Sequence, residues 1–321
     1  MRAPEFWRHD GLLPRLLAPA AAVYAAATAR RLARPGWRAP VPVICCGNAT
    51  AGGAGKTTLA LDLGARLAAN RVAFLTRGHG GRARGVHRVD PARDDAATVG
   101  DEALLLARCA PTWVAADRAA GARAAVADGA GVLVMDDGLQ NPGLAKGLSF
   151  LVVDGGAGFG NGRVIPSGPL REPVAAAAAR CSAAVLIGED RSGALAVLPP
   201  ALPVLRAELE QQDTAGLAGR RVLAFAGIGI PEKFFAGLRA AGLVLAGTEA
   251  FADHHPYASA EIERLLARAE AADAVPVTTP KDAVRLPAGL RARVRVVGVR
   301  LVWQDPAALD ALLARVLESA P

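Results

Sequence analysis

The residues best equipped for chemistry form one segment, Asn48-Ala49-Thr50-Ala51-Gly52-Gly53-Ala54-Gly55-Lys56-Thr57-Thr58. Glycines at 52, 53 and 55 let successive backbone N–H groups turn inward around phosphate oxygens without a Cβ in the way. The lysine and threonines that follow supply an ammonium for the β- and γ-phosphates and a hydroxyl, that of Thr57, for Mg²⁺. Thr50 to Thr58 is therefore a candidate phosphate-binding loop. Thr50 stands where the common pattern begins with glycine, so the match rests on Gly-Lys-Thr and its setting. A plain glycine-rich turn is the alternative, and Lys56-Thr57 at its end argues against it.

Four further groups can do chemistry. The apolar run Val132-Leu133-Val134-Met135 ends in Asp136-Asp137, where a phosphate-loop protein places a carboxylate that organises Mg²⁺. An Asp-Gly turn accounts for the same residues. Gly100-Asp101-Glu102 opens an apolar helix, where acids also serve as ordinary dipole partners. Asp253-His254-His255-Pro256-Tyr257 holds two of the five histidines in a loop between strand and helix, where ligand-facing groups are expected. Arg171, beside a glycine-rich stretch, can clamp phosphate bidentately or pair with Glu172.

These groups need a scaffold. Val41 to Cys46 reads as a strand before the loop, and Leu59-Ala60-Leu61-Asp62-Leu63 as the helix after it. Further strands are expected at 71–76, 132–135, 149–154, 183–187 and 204–209. Arg77-Gly78-His79-Gly80 follows the first of these as a basic loop at a carboxyl edge. The fold expected is α/β, a P-loop NTPase-like and mainly parallel sheet flanked by helices, with a second smaller α/β domain and an amphipathic N-terminal helix. The apolar periodicity lapses at Gln211-Gln212-Asp213. The expected units are therefore an N-terminal helical segment to residue 38, a nucleotide-binding domain over 39–212 and a C-terminal domain over 213–321, the last including a strand over 294–301 and a helix over 306–317.

At 321 residues and 52% hydrophobic, the chain can bury a large core. A net charge of +7 points to an anionic partner, and 4% aromatics with no basic aromatic stripe disfavour nucleic acid. Cys45, Cys46, Cys109 and Cys181 lack metal-ligand spacing and read as fillers in a reducing compartment, the first two facing opposite ways on a strand. Near the N-terminus, Leu12, Leu13, Leu16, Leu17, Val23 and Tyr24 precede Arg30, Arg31, Arg34 and Arg38. The uncharged run is shorter than the roughly 17–25 apolar residues of a spanning helix. It suits a helix lying in a membrane interface or one packed on the first domain.

Taken in order, the phosphate loop, Arg77-Gly78-His79-Gly80, Gly100-Asp101-Glu102, Ala116-Asp117-Arg118, Asp136-Asp137-Gly138-Leu139-Gln140, Gly168-Pro169-Leu170-Arg171-Glu172 and Asp253-His254-His255-Pro256-Tyr257 resemble the tetraacyldisaccharide 4′-kinase family. The likeness runs from Phe6-Trp7 to Thr279-Pro280-Lys281-Asp282. It implies transfer of the ATP γ-phosphate to the 4′-hydroxyl of an acylated glucosamine disaccharide 1-phosphate, in lipid A synthesis, by a peripheral enzyme on the anionic cytoplasmic face of the inner membrane. It implies no obligate protein partner. The resemblance makes Asp101 and His254 the catalytic pair and assigns Mg²⁺ to Thr57, Asp136 and Asp137, with Glu102 assisting. ATP falls to residues 50–58 and Arg171, and substrate contacts to Asn48, Arg77, Arg118 and Gln140.

Two departures stand out. His79 replaces the family's usual tyrosine, which weakens any substrate role for that loop, and Ala54 replaces a threonine, which removes only a hydroxyl. The rival class is a P-loop nucleotide switch or GTP-dependent maturation factor. Guanine readers usually carry Asn-Lys-x-Asp, whereas Lys281 and Asp282 here are adjacent.

Overall fold

Short runs of aliphatic residues, apolar on both faces, form strands that must be covered on both sides. In the computed structural model, which describes residues 4–318, they build two sheets. The first draws on β1 (Val43–Gly47), β2 (Val72–Thr76), β3 (Val86–Arg88), β4 (Thr112–Ala115), β5 (Val132–Asp136), β6 (Leu148–Asp154), β7 (Ala183–Ile187) and β8 (Val204–Gln211). The second uses β9 (Arg221–Ala226), β10 (Val244–Ala250), β11 (Ala274–Thr278) and β12 (Arg295–Val296), and β13 (Val299–Trp303) follows.

The large sheet has the order β13-β8-β7-β6-β1-β5-β2-β4-β3, parallel from β8 to β4 with an antiparallel strand at each edge. Strands β2 to β5 lie on one side of β1 and β6 to β8 on the other. That reversal opens a crevice at the carboxyl end of β1, the place where open α/β sheets take ligands. The phosphate loop leaves β1 into this crevice, and β5, which ends in Asp136, is its neighbour, with Cys46 in register with Asp136.

Alternation along β1 feeds two cores. Ile44 and Cys46 pack with Leu59 and Leu63 of the helix Lys56–Arg66 and with Leu309 and Leu313 of the helix Pro306–Glu318. Val43 and Cys45 face Ala122, Ala125 and Ala177 on the opposite side. The two adjacent cysteines thus point away from each other, and all four cysteines are free thiols. The helix Lys56–Arg66 comes close to the sheet because residue 64 is glycine: a Cβ there would lie 2.3 Å from Phe74 Cζ, on a ring with no exposed surface. Gly64→Ala is expected to cost about 1–3 kcal/mol by overpacking, read as a lower urea midpoint with an unchanged m-value.

The small sheet, β10-β9-β11-β12, is parallel throughout. Its boundary differs from the one expected. The apolar run 294–301 is two strands: β12 pairs with β11, and after Gly298 the chain crosses back so that β13 lies antiparallel to β8, Leu301 opposite Leu209. The last helix then packs on the large sheet through Leu309, Leu313 and Val316. Residues from 299 onward therefore complete the first unit, and two chain crossings join the units.

The N-terminal segment packs in part against the first unit and in part leaves apolar side chains exposed. The helix Ala18–Leu32 buries Ala21 and Thr28. The segment before it is tied to the loop 161–167: Trp7 Nε1 donates to the Pro166 carbonyl at 3.1 Å, Ser167 Oγ to the Pro14 carbonyl at 2.9 Å, and Arg163 pairs with Asp10 at 2.9 Å. Leu12, Leu13, Leu16 and Val23 nevertheless stay exposed. Among the described residues, no helix is long and apolar enough to cross a membrane.

Candidate functional site

The phosphate loop is braced from within. Asn48, buried at the end of β1, donates from Nδ2 to Thr50 Oγ1 at 2.9 Å and to the Gly52 carbonyl at 3.3 Å. Gly55 sits at φ +87° as the helix begins, a conformation that favours glycine, and a Cβ there would have to displace the Ile187 Cδ1 methyl 2.6 Å away. Lys56 Nζ folds back to the Gly52 carbonyl at 3.3 Å and lies 3.8 Å from Asp137 Oδ1. Ala51 N–H donates to the Pro169 carbonyl and Arg171 N–H to the Ala49 carbonyl, both at 2.7 Å, which fastens the loop to the Gly-Pro-Leu-Arg-Glu segment.

At the tip of β5 the two acids have different surroundings. Thr57 Oγ1 donates to Asp136 Oδ2 at 2.8 Å, while Asp136 Oδ1 is buried with no hydrogen-bond partner. Burial, with the negative charge of Glu102 adding to it, pushes the Asp136 carboxyl up to about 7. Asp137, in the left-handed region at φ +55°, accepts from Arg171 Nη1 at 2.7 Å. Burial alone would raise its pKa, but Lys56 and Arg171 outweigh that and hold it below the usual carboxylate range.

The third part comes from the other unit. Asp101, 3% exposed at the start of the helix Asp101–Ala107, lies 2.9 Å from His254 Nδ1. Desolvation pushes Asp101 upward, yet the His254 hydrogen bond and the positive charges of Lys281, His254 and Arg285 bring it below its ordinary value. His254 stands at φ +58°, an uncommon conformation for a non-glycine residue, with its N–H on the Gly227 carbonyl at 3.1 Å. The His79 ring lies 5.8 Å, centroid to centroid, from that of His254.

The other expected residues have mixed positions. Arg171 reaches Asp137 and Gln140, while Glu172 pairs with Arg180 at 2.7 Å, so the Arg171–Glu172 surface pair considered from sequence is absent. Gln140 Nε2 donates to the Asn48 carbonyl at 2.9 Å and to Glu172 at 2.8 Å, which makes it a bracket between β1 and the arginine loop. Arg118 is 3% exposed; its Nη1 bonds the Ala115 carbonyl, its Nε has no partner, and burial lowers it to about 10 against the opposing pull of Asp137. Arg77 is exposed at the end of β2. Glu102 pairs with Lys281 of the second unit at 3.1 Å. Thr279-Pro280-Lys281-Asp282, which sequence alone leaves as a neighbour of the base or a simple turn, docks on the Gly-Asp-Glu helix through Lys281. Arg285, one turn beyond Lys281, was missed altogether, although an arginine four residues after a lysine in a helical stretch shares its face.

Among the described residues no three His, Cys, Asp or Glu side chains converge as a metal cage. A hydroxyl beside a buried, half-satisfied carboxylate is instead the donor set for a Mg²⁺ that takes most of its ligands from phosphate and water.

The sequence model of the tetraacyldisaccharide-1-P 4'-kinase family matches residues 13–318. The tetraacyldisaccharide 4'-kinase of Gluconacetobacter diazotrophicus is 64% identical, covering 100% of this chain and 99% of the relative, and that of Rhodospirillum centenum is 59% identical over 99% and 97%. The crystal structure of LpxK from Aquifex aeolicus in complex with ATP shares the fold with a TM-score of 0.76 at 24% identity, over 95% of this chain and 100% of that one. A match running almost end to end, at this level of identity, leaves one placement: this chain belongs to the tetraacyldisaccharide-1-P 4'-kinase family.

Proposed function

We propose that this protein transfers the γ-phosphate of ATP to the 4′-hydroxyl of a tetraacyldisaccharide 1-phosphate in lipid A synthesis. The observation that carries the reading is the 2.9 Å contact between Asp101 of one unit and His254 of the other, at the edge where the phosphate loop emerges. The loop amides, Lys56 and Arg171 bind the triphosphate and offset charge on the group in transfer. The sugar oxygen forms a bond to the γ-phosphorus as the bond to the bridging oxygen breaks and ADP departs. Asp101 accepts the hydroxyl proton, and His254 orients its carboxylate. In a loose transition state that proton leaves late, so a carboxylate of depressed pKa is base enough. Thr57 and Asp136 would hold Mg²⁺, whose positive charge would offset the negative charge of the phosphoryl oxygens. The buried charge of Arg118 balances the acids from below, and Gln140 and Asn48 keep the loop in shape. The test is to supply γ-labelled ATP with the acylated disaccharide 1-phosphate. Label on the distal glucosamine supports the reading; label released only as inorganic phosphate, or taken from GTP alone, refutes it and favours a nucleotide switch.

The acceptor is a lipid, and the exposed Leu12, Leu13, Leu16 and Val23, followed at the far end of the helix by exposed Arg30, Arg31 and Arg34, suit a peripheral seat on an anionic leaflet, the cytoplasmic face of the inner membrane. Replacing Leu12, Leu13 and Leu16 together by Ser is expected to weaken partitioning onto anionic vesicles by about tenfold or more. Co-sedimentation measures it, and unchanged binding rules out this face as the anchor.

A further inference from the structure

The proposed mechanism leaves one buried cation unused. Arg285, whose side chain is 6% exposed, follows the short helix Pro280–Ala283 and touches four separate parts of the chain. Its Nη1 donates to the His255 carbonyl at 3.1 Å, and its Nη2 donates to the Gly227 carbonyl at 2.9 Å and to Asp282 at 2.7 Å. Its Nε donates to the Lys281 carbonyl at 3.2 Å and lies 3.6 Å from Asp101 Oδ2, across the gap between units. Asp282, with no exposed surface, is itself fixed by the Gly227 N–H at 2.8 Å and the Tyr257 hydroxyl at 2.7 Å.

These contacts converge on His254. The Gly227 carbonyl that accepts from Arg285 also accepts the His254 N–H, and the His255 carbonyl bonded to Arg285 belongs to the next residue. His254 needs such support, because a non-glycine residue at positive φ persists only where its surroundings over-determine it. Three carbonyls and a carboxylate take four N–H bonds from this guanidinium, one more than an ammonium can offer. We infer that Arg285 is a positioning residue for phosphoryl transfer: seated on Asp282, it locks the His254 turn and aims the imidazole at Asp101. Lysine would keep the charge and lose the fork.

The inference rests on the kinase reading, and a double-mutant cycle tests it. Arg285→Met is expected to lower kcat by about 10–10²-fold, the cost of misplacing a reacting group by an ångström or so, with KM for ATP within about twofold of wild type. Arg285→Lys recovers only part of that loss. In a His254→Ala background Arg285→Met has no further effect, since both changes remove the same alignment. Equal losses in both backgrounds, or a KM for ATP rising in step with the fall in kcat, overturn the inference. If Arg285→Met does not fold, Arg285→Lys carries the same cycle. A second readout needs no acceptor: the ¹⁵N signal of His254 Nδ1, which reports its bond to Asp101, is expected to move toward the unbonded position in Arg285→Lys. An unchanged signal overturns the inference even if the phosphoryl acceptor proves to be another molecule, whereas loss of wild-type label transfer overturns only the kinase reading.

Discussion

Asp101→Ala is expected to reduce kcat by about 10²–10⁴-fold, the usual contribution of a general base, while ATP affinity stays within about threefold of wild type. The separation follows from position. Asp101 lies on the Gly-Asp-Glu helix facing His254, whereas the triphosphate contacts are on the loop after β1 and on Arg171. Asp101→Asn sharpens the test: the amide keeps the shape and gives up the basicity, so its kcat should fall nearly as far. His254→Ala should fall less, because the carboxylate remains. Single-turnover assays with labelled ATP read all three, and near-normal turnover in Asp101→Ala would remove this residue from the mechanism.

Lys56→Met is the second large effect. The Lys56 ammonium lies 3.3 Å from the Gly52 carbonyl and 3.8 Å from Asp137, folded into the mouth of the loop where phosphate oxygens would gather. Methionine keeps the aliphatic stem and deletes the charge, which should cost about 10²–10³-fold in kcat/KM, as for loss of one preorganised electrostatic contact. Unlike Asp101→Ala, this variant should also raise KM for ATP, since lysine holds the β- and γ-phosphates in the ground state. A variant with unchanged KM and kcat would show that the loop works without its cation.

Local patterns made much of this architecture readable before any coordinates. The phosphate loop, the strand that ends in Asp136 and the helix opening with Asp101-Glu102 each depend on residues a few positions apart, so spacing and polarity suffice to find them. What stayed hidden depends on distant segments meeting. Arg285 bonds the His255 carbonyl within the second unit and lies 3.6 Å from Asp101 of the first, contacts set by the tertiary fold and by how the units abut rather than by any nearby residue. Lys281 meets Glu102 for the same reason. The run 294–301 reads as one strand because five of its eight residues are Val or Leu, yet Gly298 divides it between two sheets, and only the antiparallel partner on β8 reveals the crossing. The resemblance alone assigns Arg118 to the substrate; the fold buries it, with Nη1 on the Ala115 carbonyl.

The central claim is spatial: a triphosphate anchored on the loop after β1 presents its terminal phosphorus to the Asp101–His254 pair. A crystal structure with Mg²⁺ and a non-hydrolysable ATP analogue tests this most directly. The account predicts phosphates wrapped by the amides of residues 52–57, the metal on Thr57 and Asp136, and the γ-phosphorus turned toward Asp101 with room between them for one alcohol oxygen. A triphosphate bound elsewhere, or a γ-phosphorus facing away from Asp101 in the closed protein, would contradict it.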